Sequence, residues 1–327
     1  MRRAGWTVMG LALVVLASGC GKATDPWEDE PGSPRVVVTI APLASLVRGV
    51  AGDRPAIKCL CTTTGPHHYQ LDTRDARVLL KADLFLAIGL RLDDSFADAM
   101  RSQARRADLT YFKLGGMLPT SSLMQLKHEH KHSAEDEGQP HHHGKWDPHV
   151  WLGLDEMSKM AGSVCDAFIK LDPDHADEYR TNTTAYIARL RALHEEGKKL
   201  LADKKVRRLI SFHEALGYFA RSFDLTIEDV IEPGAGDEPS SAHLADLIRR
   251  CQIPDRPIGG ITVEPQYPRT TSATTIRREL AGKGIIIPLI EIDPLETASP
   301  DDLAKEGADW YLSRMRKNLE SLASKLP

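Results

Sequence analysis

From Arg35 onward, short runs of β-branched and other apolar residues alternate with stretches of helical periodicity, and few folds accept that rhythm. Val36–Ile40 reads as a buried strand followed by a helix from about Leu43. Strands follow over 57–62, 84–88 and 109–114, separated by helices over about 73–81 and 95–103. The rhythm resumes after residue 205, with strands over 208–212, 225–231, 258–263 and 285–292 and helices over 214–222, 241–251 and 271–281. Strands that alternate with helices build parallel sheets with helices on their faces. Two such series predict an α/β protein of two lobes, covering 35–154 and 205–327. Between them lies a helical region, 155–204. Met157, Met160, Val164, Phe168 and Leu171 keep helical spacing up to Asp172-Pro173. The pattern then returns from Ala176 through Tyr186 and Leu193 to about Ala202. A linking helix of about 30 residues would measure about 45 Å.

The N-terminus follows another logic. Met1-Arg2-Arg3, the apolar run Trp6–Ala17 and the small residues Ala17-Ser18-Gly19 lay out a secretory signal over 1–19. The apolar run is shorter than the roughly 20 residues a membrane-spanning helix needs. Ala-Ser-Gly followed by Cys20 resembles the lipobox of bacterial lipoproteins, with Ala at the position where Leu is usual. Cys20 is therefore expected to be the acylated first residue of the mature chain, exported to the periplasm or cell surface. Residues 20–34 read as a tether rich in Gly, Asp, Glu and Pro. Cys59, Cys61, Cys165 and Cys251 remain. Burial is expected for each, and spacing leaves one disulfide open.

The 327 residues carry 42 Lys plus Arg against 46 Asp plus Glu, a net charge of −4, which excludes the concentrated positive face of a nucleic-acid binder. Residues 115–146 lack periodicity but hold His128, His130, His132, His141, His142 and His143, six of the 13 histidines. An even spread would place fewer than one in such a window, so the cluster points to metal. Single histidines also follow strands or the loop: His67 in Gly65-Pro66-His67-His68-Tyr69, His149 in Asp147-Pro148-His149-Val150-Trp151, and His213 in Ser211-Phe212-His213-Glu214. Asp293 follows the last strand. Strand C-termini are where parallel α/β sheets bind ligands, and three imidazoles with a carboxylate suit a borderline cation such as Zn²⁺.

PHHY, DPHVWL, SFHEALGYFA, GDEPSSAHLADLI, EPQY and DPL together resemble the metal-binding solute-binding proteins of ABC importers for zinc and manganese. The resemblance covers nearly all the mature chain. It implies two lobes bridged by one rigid helix with the metal in the cleft between them. It also implies His67, His149, His213 and Asp293 as ligands, with Glu264 supporting them. His213, at a position where manganese members carry Glu, tilts the expected cargo to Zn²⁺, with manganese or iron as the alternative. The expected partners are a membrane permease and an ATPase, because no phosphate-binding loop occurs here. The His-rich loop is expected to be a weaker secondary metal site, and the protein a monomer. A surface zinc buffer or adhesin would carry the same site. A zinc hydrolase is disfavoured: Gly217 stands where HExxH needs its second His, and a closed four-ligand set leaves no place for an activated water.

Overall fold

The structure, a computed structural model, describes residues 25–28, 32–72, 75–126, 144–232, 238–266 and 271–327. In the first lobe, β1 (Arg35–Ile40) leads directly into α1 (Ala41–Ala51). Then come β2 (Ala56–Cys61), α2 (Asp75–Leu79), β3 (Leu84–Ala87), α3 (Asp94–Ala104) and β4 (Thr110–Lys113). All pairs are parallel, in the order β2-β1-β3-β4, with Val36 opposite both Ile57 and Leu84. Val36, Val37, Val38 and Ile40 are fully buried, as expected where helices cover both faces of a parallel sheet. Pro42 sits at the start of α1, where its missing N–H costs nothing.

The linking region is two helices. α4 (Leu154–Leu171) ends at Asp172, whose carboxylate accepts hydrogen bonds from Tyr179 Oη at 2.6 Å and His175 Nδ1 at 2.8 Å. Pro173–His175 forms a 3-10 turn, and α5 (Ala176–Leu200) is the long helix, 25 residues and about 37 Å. It packs on α1 through Tyr186 against Gly49, and Gly197 near its far end meets Phe223 and a leucine of the last helix.

The second lobe comprises β5 (Arg208–His213), α6 (Gly217–Ser222), β6 (Thr226–Glu232), α7 (Ser241–Arg250), β7 (Gly260–Val263), α8 (Thr271–Ala281), β8 (Leu289–Glu291), α9 (Pro300–Glu306) and α10 (Asp309–Lys325). Its parallel sheet has the order β6-β5-β7-β8, repeating the first. Two expected elements are shorter. α6 starts at Gly217 because the chain after His213 turns first, with Ala215 N donating to His213 O at 2.9 Å. β8 omits 285–288, where Ile286 is 91% exposed.

α10 was not expected, and it is a second strap between the lobes. Tyr311 N donates to Ser45 Oγ at 3.2 Å, Ser45 Oγ donates to Gly307 O at 3.0 Å, and Tyr311 Oη donates to Trp151 O at 2.6 Å. One continuous apolar core accordingly contains residues of both sheets, α1, α4, α5 and α10; a second, smaller one lies under α7 and α8.

Within the expected tether, Trp27 is buried against the first lobe and donates from Nε1 to Val78 O at 3.0 Å. All four described cysteines are free, so the open disulfide does not form among them. No helix among the described residues is long and apolar enough to cross a membrane. Cys20, the expected signal and His128, His130, His132, His141, His142 and His143 lie outside the described residues.

Candidate metal centre

Both sheets reverse strand order beside their first strand, and the cleft between the lobes collects the loops from their C-terminal edges. His213 is the last residue of β5. His67 follows β2 by six residues, and Glu296 follows β8 by five. His149 lies between β4 and α4, just beyond the stem of the His-rich loop. Gln125 bridges Trp146 in that stem, and Asp147 N donates to Met124 O at 2.8 Å.

These four side chains converge. His67 Nε2 lies 3.2 Å from His149 Nε2. Glu296 Oε1 lies 3.4 Å from His67 Nε2, 3.7 Å from His149 Nε2 and 3.4 Å from His213 Nε2. The four donor atoms all fall within 4.8 Å of one another. Zinc–nitrogen bonds of 2.0–2.1 Å arranged tetrahedrally require ligand-to-ligand edges of about 3.3 Å. His213 Nε2 and Glu296 Oε1 are buried without any hydrogen-bond partner, a costly arrangement for polar atoms unless a cation joins them. The donor set thus fits a divalent ion.

The structure brings together three of the four residues expected from the sequence and replaces the fourth. Asp293 is not in the cluster: its Oδ1 accepts the amide of Leu295 at 2.8 Å, closing a turn on itself. That turn carries the chain onward so that Glu296 reaches the imidazoles instead. Asp147 was also not singled out as a functional residue. Its Oδ1 accepts His149 Nδ1 at 2.8 Å and His149 N at 2.9 Å. Glu264 Oε1 likewise accepts His213 Nδ1, and Gln266 Nε2 donates to Glu264 Oε2 at 2.7 Å. A carboxylate accepts only, so each bond puts a proton on Nδ1 and turns Nε2 towards the cluster. The Asp-Pro-His spacing was the available signal for Asp147.

Charge follows the same geometry. Burial holds the His67 imidazole below its usual pKa, because nothing near it offsets the loss of water fully. Burial also opposes charge on His149, but the Asp147 and Glu296 carboxylates outweigh it and the pKa rises. For His213, burial is outweighed further by Glu264 and Glu296, so its pKa lies well above the usual range. Burial would raise Glu296, yet the neighbouring imidazoles, His67 first and then His149 and His213, hold it well below. The His67 side chain is 11% exposed, against 3%, 2% and 4% for His149, His213 and Glu296, so the centre meets solvent on the His67 side.

Two parallel α/β lobes strapped by helices, closing on a three-nitrogen, one-oxygen centre, define a two-lobed binding-protein architecture. The chain belongs to the family described as zinc-uptake complex component A, periplasmic (ZnuA), whose model matches residues 36–325. It is 27% identical over 302 residues to zinc-binding protein AdcA of Streptococcus pyogenes serotype M3, covering 89% of this chain and 56% of that protein. It is 26% identical over 313 residues to zinc-binding lipoprotein AdcA of Streptococcus pneumoniae serotype 4, covering 94% of this chain and 60% of that protein. The chain therefore spans little more than half the length of these curated relatives. Among solved structures, it resembles the solute-binding protein FpvC from Pseudomonas aeruginosa in complex with Mn²⁺. The TM-score is 0.74 at 24% identity, over 89% of this chain and 98% of that one.

Proposed function

We propose that this chain captures Zn²⁺ between its lobes through His67, His149, His213 and Glu296 and delivers it to the permease and ATPase of an ABC importer. The observation that carries the reading is the four-donor cluster, in which a buried imidazole nitrogen and a buried carboxylate oxygen have no partner but each other's neighbourhood. The AdcA relatives are named as zinc-binding proteins, in agreement with zinc as cargo. Three nitrogens with one oxygen, all within 4.8 Å of one another, favour Zn²⁺ over Mn²⁺, which prefers more oxygen. A manganese or iron cargo is the second reading, and the Mn²⁺ complex of the similarly folded FpvC is the reason to test it. The closed set of protein donors supports a binding protein over an enzyme.

Export and anchoring belong to the same proposal. Residues 1–19 serve as the signal, Cys20 is acylated, and the chain works as a monomer in the periplasm or at the cell surface, with lobes over 35–154 and 205–327 and the linking helices over 155–204. The name of the pneumococcal relative, a lipoprotein, supports the anchor. His128, His130, His132, His141, His142 and His143 form a weaker, exchangeable site near the cleft.

Competitive metal titration by calorimetry, beside a His213→Ala variant, tests this function. One tight Zn²⁺ per chain, kept against excess Mn²⁺ and strongly weakened by the substitution, is expected. Preference for Mn²⁺, or affinity indifferent to His213, would overturn it. Loss of zinc uptake on deletion of the gene separates import from a surface buffer or adhesin.

A further inference from the structure

The turn that carries Glu296 is held by more partners than its length requires, and one of them comes from the opposite lobe. Leu295, just before Glu296, has φ +62° and is fully buried. A branched apolar residue keeps left-handed backbone only where its surroundings over-determine it. Part of the restraint is local: Asp293 Oδ1 accepts Leu295 N at 2.8 Å. Asn318 of α10 adds two bonds, its Oδ1 accepting Asp293 N at 2.9 Å and its Nδ2 donating to Asp293 O at 2.8 Å. The remaining bond crosses the cleft. Trp151 Nε1 donates to Pro294 O at 2.8 Å, and Trp151 is fully buried. Trp151 lies two residues beyond His149, and its ring centroid stands 5.2 Å from the His149 imidazole. A single side chain therefore touches one first-lobe donor of the centre with its ring and the backbone beneath a second-lobe donor with its N–H.

We propose that Trp151 is a positioning residue for the metal centre: its indole N–H holds the Pro294–Glu296 turn so that the Glu296 carboxylate completes the tetrahedron. This rests on the zinc-site reading above. Without that bond the Pro294 carbonyl is left buried and unpaired, and the left-handed Leu295 loses the restraint it receives from the first lobe. The turn relaxes and the carboxylate withdraws, while His149 and His213 keep Asp147 and Glu264 behind them. The ion then stays bound by three imidazoles but leaves faster. The same bond gives the lobes a way to control release, since a small shift of the His149–Trp151 loop relative to the second lobe breaks it without opening the cleft.

The test uses the full chain with Co²⁺ as a spectroscopic probe and Zn²⁺ for kinetics, in Trp151→Phe and Glu296→Gln variants. A third variant replaces Trp151 with benzothienylalanine, which keeps the ring size and deletes only the N–H. Expected for both Trp151 replacements is a weaker visible Co²⁺ absorption, as tetrahedral coordination gives way to a more open set. Zinc dissociation into a chelator should rise about 10- to 100-fold, with the association rate unchanged. The metal-free melting temperature of the benzothienylalanine variant should stay near that of the parent, which separates positioning from a general packing role; if Trp151→Phe folds poorly, that variant carries the test alone. A parental spectrum and dissociation rate in the benzothienylalanine variant, with both altered in Glu296→Gln, would overturn the positioning role and leave the site standing. No change in Glu296→Gln would sink the site assignment and this proposal with it.

Discussion

His213 Nε2 and Glu296 Oε1 lie 3.4 Å apart, both buried, and neither makes a hydrogen bond. Asp293, three residues earlier, spends its carboxylate on the amide of Leu295. The two acidic residues of this turn therefore have separable effects. Glu296→Gln removes the one anionic donor and should weaken zinc by on the order of 100-fold or more, beyond the usual cost of losing a supporting group. Asp293→Asn keeps an acceptor for Leu295 N and should cost less than about 10-fold. Competition against a chromophoric chelator measures both; the reverse ranking would restore Asp293 as the ligand.

Much of this centre was legible from sequence because three of its donors follow strands or motifs of fixed local geometry. Pro-His-His-Tyr, Asp-Pro-His and Ser-Phe-His each place one imidazole at the same edge. The fourth member of the cluster was not legible, because Leu295 takes a conformation that its side chain argues against, and this brings Glu296 rather than Asp293 beside the imidazoles. The two sheets and the long helix were also readable, although Asp172 splits the helical region and leaves α5 with 25 residues. In α10, Tyr311, Met315, Leu319 and Leu322 keep helical spacing and are buried, but that spacing does not reveal a strap between lobes. Its bonds to Ser45 and Trp151 join residues about 160 or more positions apart, and no local pattern announces such contacts.

Proton release should accompany zinc capture. The carboxylates around His213 and His149 raise both pKa values, so the metal-free centre holds its protons to higher pH than free imidazoles do, and ligation through Nε2 must displace them. Zinc affinity should therefore climb with pH until the raised His213 value is passed. For the metal-free fold, the raised histidines give stability that is complete below about pH 6.5 and lost as pH rises through their folded values. The depressed Glu296 gives stability present above its ordinary value and lost only in strong acid. The metal-free melting temperature should fall on the alkaline side, and saturating zinc should reverse that fall. Calorimetry in buffers of different ionisation enthalpy reads the released protons directly; identical heats in phosphate and Tris would contradict the assignment.

The helical straps should make the lobes stiff. A Cβ at Gly49 would stand 2.5 Å from Tyr186 Cδ2, and one at Gly197 would overlap the Phe223 ring and lie 2.8 Å from Leu319 Cδ1. Gly197→Ala gains about 1 kcal/mol of helix propensity but overpacks a core contact, at a cost of about 1–3 kcal/mol. Net destabilisation of about 1 kcal/mol is expected at Gly197, and a similar or larger loss at Gly49, by chemical denaturation. Small-angle scattering should find the radius of gyration changed by less than about 1 Å on zinc binding, since a core continuous across the lobes opposes hinge opening. A wide metal-free form would show that α5 and α10 do not restrain the cleft.

Removing the His-rich segment should leave the centre intact. The chain enters and leaves it through a closed stem: Gln125 pairs with Trp146, and Leu126 N donates to Lys145 O at 3.4 Å. Tyr218 pins that stem to the second lobe, its Oη accepting Met124 N at 3.0 Å and donating to Asp147 O at 2.9 Å. Because both ends of the stem already meet, a two-residue turn replacing 127–143 closes the chain without straining Asp147 or the His149 it supports. One tight zinc per chain and the parental melting temperature should survive. If His128, His130, His132, His141, His142 and His143 form the proposed secondary site, its weaker equivalents should vanish from the isotherm. Under limiting zinc, uptake into the tight site should also slow if the segment gathers metal for it. Unchanged stoichiometry and unchanged uptake rate would remove the segment from the capture mechanism and leave the four clustered donors as the whole of it.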